Sequence, residues 1–238
     1  MRSDRLGAVA AAIVLATSVS PALAVHARST HADAVVADSR AADAVVEKLR
    51  ELPLPLRPFP HAAPSAKTIP PPLPALEERR QQVYDELHAL GRVSVTALAR
   101  ALRDPDPEMR RDVAVALDVV GGGWWHFPDG DAKLDLRPAL PALLTALQDS
   151  DPGVRAWVAQ DISDIGAAAA TAVPHLRAML HSTDPQSRGS ACSALGAIGF
   201  AARAALPDLQ HALDDSSPEV RQSASDAIAR INRDAALH

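Results

Sequence analysis

Beyond Ala75 the polar and apolar positions of the chain recur in blocks. Residues 102–121 (LRDPDPEMRRDVAVALDVVG), 147–166 (LQDSDPGVRAWVAQDISDIG), 180–199 (LHSTDPQSRGSACSALGAIG) and 213–232 (LDDSSPEVRQSASDAIARIN) align without gaps. Pro107, Pro152, Pro185 and Pro218 correspond, as do Arg110, Arg155, Arg188 and Arg221. In the second block Val154, Val158, Ala159, Ile162 and Ile165 form the single apolar stripe of a helix. Asp149, Ser150 and Asp151 are turn and cap formers before it, Pro152 suits its first position, and Gly166 ends it in a left-handed cap. A second series, Pro141-Ala142-Leu143, Pro174-His175-Leu176 and Pro207-Asp208-Leu209, with Thr96-Ala97-Leu98 at the equivalent place, predicts a shorter helix ahead of each block.

Each unit therefore reads as two helices joined by a polar turn. One such pair cannot bury its own apolar face, so the units must stack into an all-α solenoid. Four units are expected over about 92–121, 134–166, 167–199 and 200–232. The last two steps are 33 residues and the first is 45, which leaves a 12-residue insertion in the stretch 121–133. Small residues at Ala114, Ala159, Cys192 and Ser225 allow neighbouring helices to approach closely. Residues 77–91 read as an N-terminal capping helix with Val83, Leu87 and Leu90 inward.

Ahead of the solenoid the pattern changes twice. Residues 25–52 are Ala-rich and charged, with Val35, Ala42, Val45, Val46 and Leu49 at helical spacing, leaving room for one marginal helix. Residues 53–74 hold nine prolines, which block helix and sheet ladders and predict a semi-rigid polyproline tether. Residues 1–24 have the three parts of a secretory signal: Arg2 and Arg5, the apolar run LGAVAAAIVLA from Leu6 to Ala16, and Ala22-Leu23-Ala24 as a small-x-small cleavage site. An uncleaved anchor is the weaker alternative, because its many Ala, Ser and Thr residues give poor membrane affinity. The expected product is an exported, periplasmic or extracellular chain with no stable membrane insertion after cleavage.

Composition narrows the function. Net charge is −5, and −6 once Arg2, Arg5 and Asp4 are removed, which argues against a nucleic-acid partner. Aromatics are only 3% of the chain, so the core is built from Ala, Val, Leu and Ile. The single Cys192 permits no internal disulfide and reads as a small buried residue. No phosphate-cradling glycine loop, Ser/His/Asp signature or repeated histidine pattern occurs, so no catalytic residue, cofactor or metal is expected. Asp129, Asp131 and Asp135 lack the spacing of a calcium loop.

The D-x-x-P-x-V-R-x-x-x-A-x-x-I/L-x-x-I-G pattern resembles HEAT repeats, particularly the short bacterial HEAT-like units also found in phycobilisome lyases, although the 33-residue step is shorter than the HEAT average and equals that of ankyrin. That resemblance covers residues 75–232 and implies an α-solenoid scaffold that binds another protein on its concave face. The alternative it carries is a HEAT-like enzyme or enzyme subunit, lyase-like, of unknown substrate. The His-Glu pairs that hold iron in HEAT-like deoxyhypusine hydroxylases are missing, and the charge disfavours the HEAT-like alkyl-purine glycosylases. In the resembled family the repeated arginine is structural, reaching turn carboxylates of its own or the next unit, here Asp104, Asp149 and Asp215. Trp124, Trp125 and Phe127 cluster in the insertion, between Gly121, Gly122, Gly123 and Gly130, and Trp157 stands outside the apolar stripe on the side of Asp161 and Asp164. These four aromatics are the candidate partner-docking patch. The competing expectation is that the loop covers the gap between the first two units.

Overall fold

The computed structural model describes residues 37–52, 74–122 and 133–235. The signal, almost all of the tether and Trp124, Trp125 and Phe127 lie outside the described residues. The chain divides into two units, 1–40 and 41–238. Of the first, only residues 37–40 are described, and they are helical. The repeats all belong to the second.

Helix accounts for 84% of the described residues, and none of them is in a strand. The order is α1 (residues 41–47), a 3-10 turn Lys48–Glu51, α2 (Pro74–Ala89), α3 (Arg92–Ala101), α4 (Pro107–Val120), α5 (Leu140–Ala146), α6 (Pro152–Ile165), α7 (Val173–Met179), α8 (Pro185–Ile198), α9 (Leu206–His211) and α10 (Pro218–Ala235). The long helices α4, α6, α8 and α10 are the recurring blocks, each packing on the next. We call them the B helices. The shorter α3, α5, α7 and α9 are their partners. The fold is thus an all-α repeat solenoid.

Local chemistry sets the boundaries. Pro107, Pro152, Pro185 and Pro218 each occupy the first residue of a B helix, where the missing N–H costs nothing. Asp106 accepts from the Glu108 amide, Asp151 from Val154 and Asp184 from Ser187, satisfying donors that no turn of helix can reach. Gly166 and Gly199 end α6 and α8 at φ +63° and +71°, a region closed to side chains. In the first unit that positive φ moves one residue on, to Gly122 at +79°, where the chain enters the insertion. Gly166–Ala172 and Gly199–Ala205 are 3-10 rather than α. Pro174 and Pro207, second in α7 and α9, cannot donate the bonds that would continue an α-helix backwards.

The apolar stripes meet as expected. Val154, Val158, Ala159 and Ile162 are buried, as are Ala114 and Cys192, whereas Ser225 is exposed because α10 has no following B helix. Val83 and Leu87 of α2 point into the core with Leu90 packed against it, but this helix begins at Pro74, at the end of the expected tether. The stretch given room for one marginal helix does more than that. Ala42, Val45, Val46, Leu49 and Leu52 are buried in the same core, so α1 and its 3-10 turn cap the solenoid together with α2. Lys48 donates to Glu86 of α2 at 2.5 Å and Arg100 of α3 to Asp43 at 2.5 Å. The span Pro185–Asp214 is long and apolar enough to cross a membrane by composition, but half of it is buried and Gly199 breaks it.

Candidate functional site

Two surfaces follow from the repeat: the turns that precede the B helices, and the open face of the B helices themselves. The turns hold the repeated arginines. Arg110 Nη1 donates to the carbonyls of Asp104 and Pro105, while its Nε and Nη2 reach both carboxylate oxygens of Asp149 in the next unit at 2.6 and 2.8 Å. Arg188 repeats this on Ser182, Thr183 and Asp215, with 2.7 Å to each carboxylate oxygen. From the N-terminal cap Arg50 reaches Asp104 through Nη2 alone, its Nε donating to Glu47. The carboxylates also serve their own turns, since Asp149 accepts from the Asp151 amide and Asp215 from Ser217. Burial alone would raise Asp149, but the Arg110 guanidinium and the Asp151 amide hold it below the usual range. The Arg188 hydrogen bonds hold Asp215 low in the same manner. These arginines are joints between units.

The open face of α6, α8 and α10 carries a groove of about 290 Å³. Gln160, Ser193 and Asp226 occupy one equivalent position in successive units, and Asp164, Ala197 and Arg230 another. Gly196 forms the floor, because a Cβ there would lie 2.9 Å from the Cα of Ala227. The lining is polar at the rim and small at the base. Among the described residues no group of three or more His, Cys, Asp and Glu side chains could hold a metal ion.

Toward the first unit this face changes character. Trp157 is 5% exposed and belongs to the hydrophobic core, so it is not the surface anchor expected from its place outside the apolar stripe. A stripe read from one helix misses it because the B helix is flanked on both sides. Asp118 and Asp161 are fully buried beside it, and the Asp161 carboxyl has no hydrogen-bond partner. Burial, then Asp118 and Asp164, push Asp161 well above the ordinary carboxylate range. Burial also pushes Asp112 up to about 7 against the pull of Arg80 and Arg111. Cys192 is buried, and desolvation followed by the Asp215 charge raises its thiol to about 12, which leaves it inert as a nucleophile.

With this geometry in view the relatives can be placed. Residues 173–238 match the HEAT repeats family. No curated protein matches the sequence. Among solved structures, two engineered proteins from a structural-genomics consortium each superpose with a TM-score of 0.51. One is 24% identical, with 63% of this chain and 40% of that chain covered, and the other 20% identical, with 84% and 90% covered. A designed armadillo repeat protein in complex with the peptide (KR)4 gives a TM-score of 0.52 at 17% identity, over 84% of this chain and 92% of its own. The chain spans about two-fifths of the first of these proteins. All three likenesses concern the fold alone.

The groove and the buried aspartates were the features not singled out from sequence. A signal for the latter existed: Asp161 stands where the other units have Ala116, Ala194 and Ala227.

Proposed function

We propose that the chain is a non-enzymatic HEAT-repeat scaffold that docks an extended segment of another protein across α6, α8 and α10. The groove carries this reading. Its rim of Gln160, Ser193 and Ser223 offers donors and acceptors suited to a peptide backbone, while Asp164 and Asp226 favour basic side chains on the bound segment. The floor of Gly196, Ala197 and Ala227 lets a main chain come close. No convergent set of nucleophile, base or metal ligands occurs among the described residues, which weighs against the enzymatic alternative. That the units are of the short type found in phycobilisome lyases rests on the repeat pattern alone and supplies no reaction. The peptide-bound armadillo neighbour is consistent with a solenoid holding an extended chain, but the reading rests on this chain's own residues.

Two further parts of the proposal rest on sequence. Residues 1–24 direct export, so the partner is periplasmic or extracellular. The Trp124, Trp125 and Phe127 loop adds aromatic anchors to the docking surface. The test is capture from the exported fraction by the wild type, by Ala197→Arg, which fills the groove, and by a Trp124→Ala/Trp125→Ala variant. A protein held by the wild type should be lost with Ala197→Arg while the melting temperature stays unchanged. Equal capture by Ala197→Arg would remove the groove from the function.

A further inference from the structure

The arginine joints are not all complete. Four units of this one chain present the same turn, so each joint is a control for the others. Asp104, Asp149 and Asp215 accept the guanidinium of the preceding unit or cap, but the equivalent residue of the third unit is Ser182. Arg155 keeps the inward half of the pattern: its Nη1 donates to the carbonyls of Asp149 and Ser150 at 2.8 and 3.2 Å. On the outward half, among the described residues, only the Ser187 hydroxyl lies within reach of Nη2, at 3.3 Å, and no acceptor stands opposite Nε. The turn's own carboxylate, Asp184, is engaged by the Ser187 amide at 2.7 Å and the Ser187 hydroxyl at 2.6 Å. Ser182 in turn accepts from the Asp184 amide at 3.2 Å through the hydroxyl oxygen, which leaves its hydrogen to donate.

We propose that this vacant rung is a carboxylate-binding slot between the second and third units. Arg155 Nε and Nη2 supply the two parallel donors that hold Asp149 and Asp215 elsewhere, and the Ser182 hydroxyl supplies a third. Both Arg155 and Ser182 are half-buried, so each keeps some contact with solvent. The repeats themselves define the ligand: a group with the shape of an aspartate carboxylate, brought by a small carboxylate anion or by an acidic side chain of a bound chain. Among the described residues Arg221 also lacks an outward partner, but it is exposed and no turn of a further described unit faces it, so it forms no slot.

The test is thermal unfolding of the full chain and of Ser182→Asp in sodium formate against sodium chloride at equal ionic strength and pH. Ser182→Asp fills the slot covalently and should melt about 2–4 °C above the wild type, the shift expected of one added charge-assisted pair in a chain of this size. Formate should raise the melting temperature of the wild type in a saturable way and leave Ser182→Asp unchanged. A parallel titration with a blocked tetraglutamate peptide separates the sources. A shift with both ligands assigns the slot to acidic side chains as well, and a shift with formate alone assigns it to small anions. Equal formate responses in the two proteins, or a Ser182→Asp variant no more stable than the wild type, would overturn the proposal.

Discussion

The contact between α4 and α6 and the contact between α8 and α10 occupy the same repeat positions with opposite chemistry. In the C-terminal pair Gly196 meets Ala227 so closely that even a methyl group would have to be accommodated. At the equivalent positions of the N-terminal pair stand Asp118 and Asp161, both fully buried and close enough for each charge to act on the other. Between them, the equivalent positions of α6 and α8 hold Ser163 and Ala194. A backbone approach is stabilised by dispersion between packed helices and is insensitive to pH. A buried carboxyl pair gives a joint whose strength falls as its proton is removed. One repeat fold therefore carries a rigid end, where the groove lies, and a titratable end beside the insertion.

That contrast can be broken at several points. The largest effect is expected for Trp157→Ala, which empties core space beside the N-terminal joint and should cost about 3–5 kcal/mol in denaturant unfolding. An unchanged stability would mean that Trp157 is available at the surface after all. Gly196→Leu should cost about 1–3 kcal/mol by overpacking α8 against α10. Substitution of Ser163, at the same repeat position, should be milder. Asp161→Ala, which installs the residue found in the other units, should be stabilising by about 1 kcal/mol at pH 8 and close to neutral at pH 4. The sign follows from the raised pKa. The folded state holds the Asp161 proton more tightly than the unfolded chain, so stability is undiminished below about pH 4 and falls as pH rises through the folded value. Asp112 acts in the same direction up to about pH 7. Asp149 and Asp215, held low by their arginines, act oppositely and lose their contribution only as pH falls below the ordinary carboxylate range.

Much of this was legible in the chain. The recurring proline, aspartate and arginine of the turns specify local geometry that needs no distant partner, and Pro152, Asp151 and Gly166 sit where their chemistry places them. The role of the arginines came with the resemblance to HEAT repeats, which implies a structural arginine at that place, and Arg110 and Arg188 reach Asp149 and Asp215 as it implies. The position of α1 was not, since residues 41–52 are separated from α2 by 21 residues and only the three-dimensional stack shows that Val46 and Leu49 close its end. Trp157 was misplaced for a related reason. Helical periodicity reports one buried stripe, and a B helix flanked by neighbours on two sides has a wider one. The groove depends on which faces remain open after stacking, a property of several helices at once.

Amide hydrogen exchange of the free chain at pH 5 and pH 8, corrected for the intrinsic chemical rates, tests the two-ended account most directly. Protection in α6 should fall relative to α8 and α10 as pH rises, because Asp161, whose proton the folded state holds more tightly than the unfolded chain, lies at the N-terminal joint, while α8 and α10 keep their protection. Equal changes in all three helices, or an α6 indifferent to pH, would contradict it.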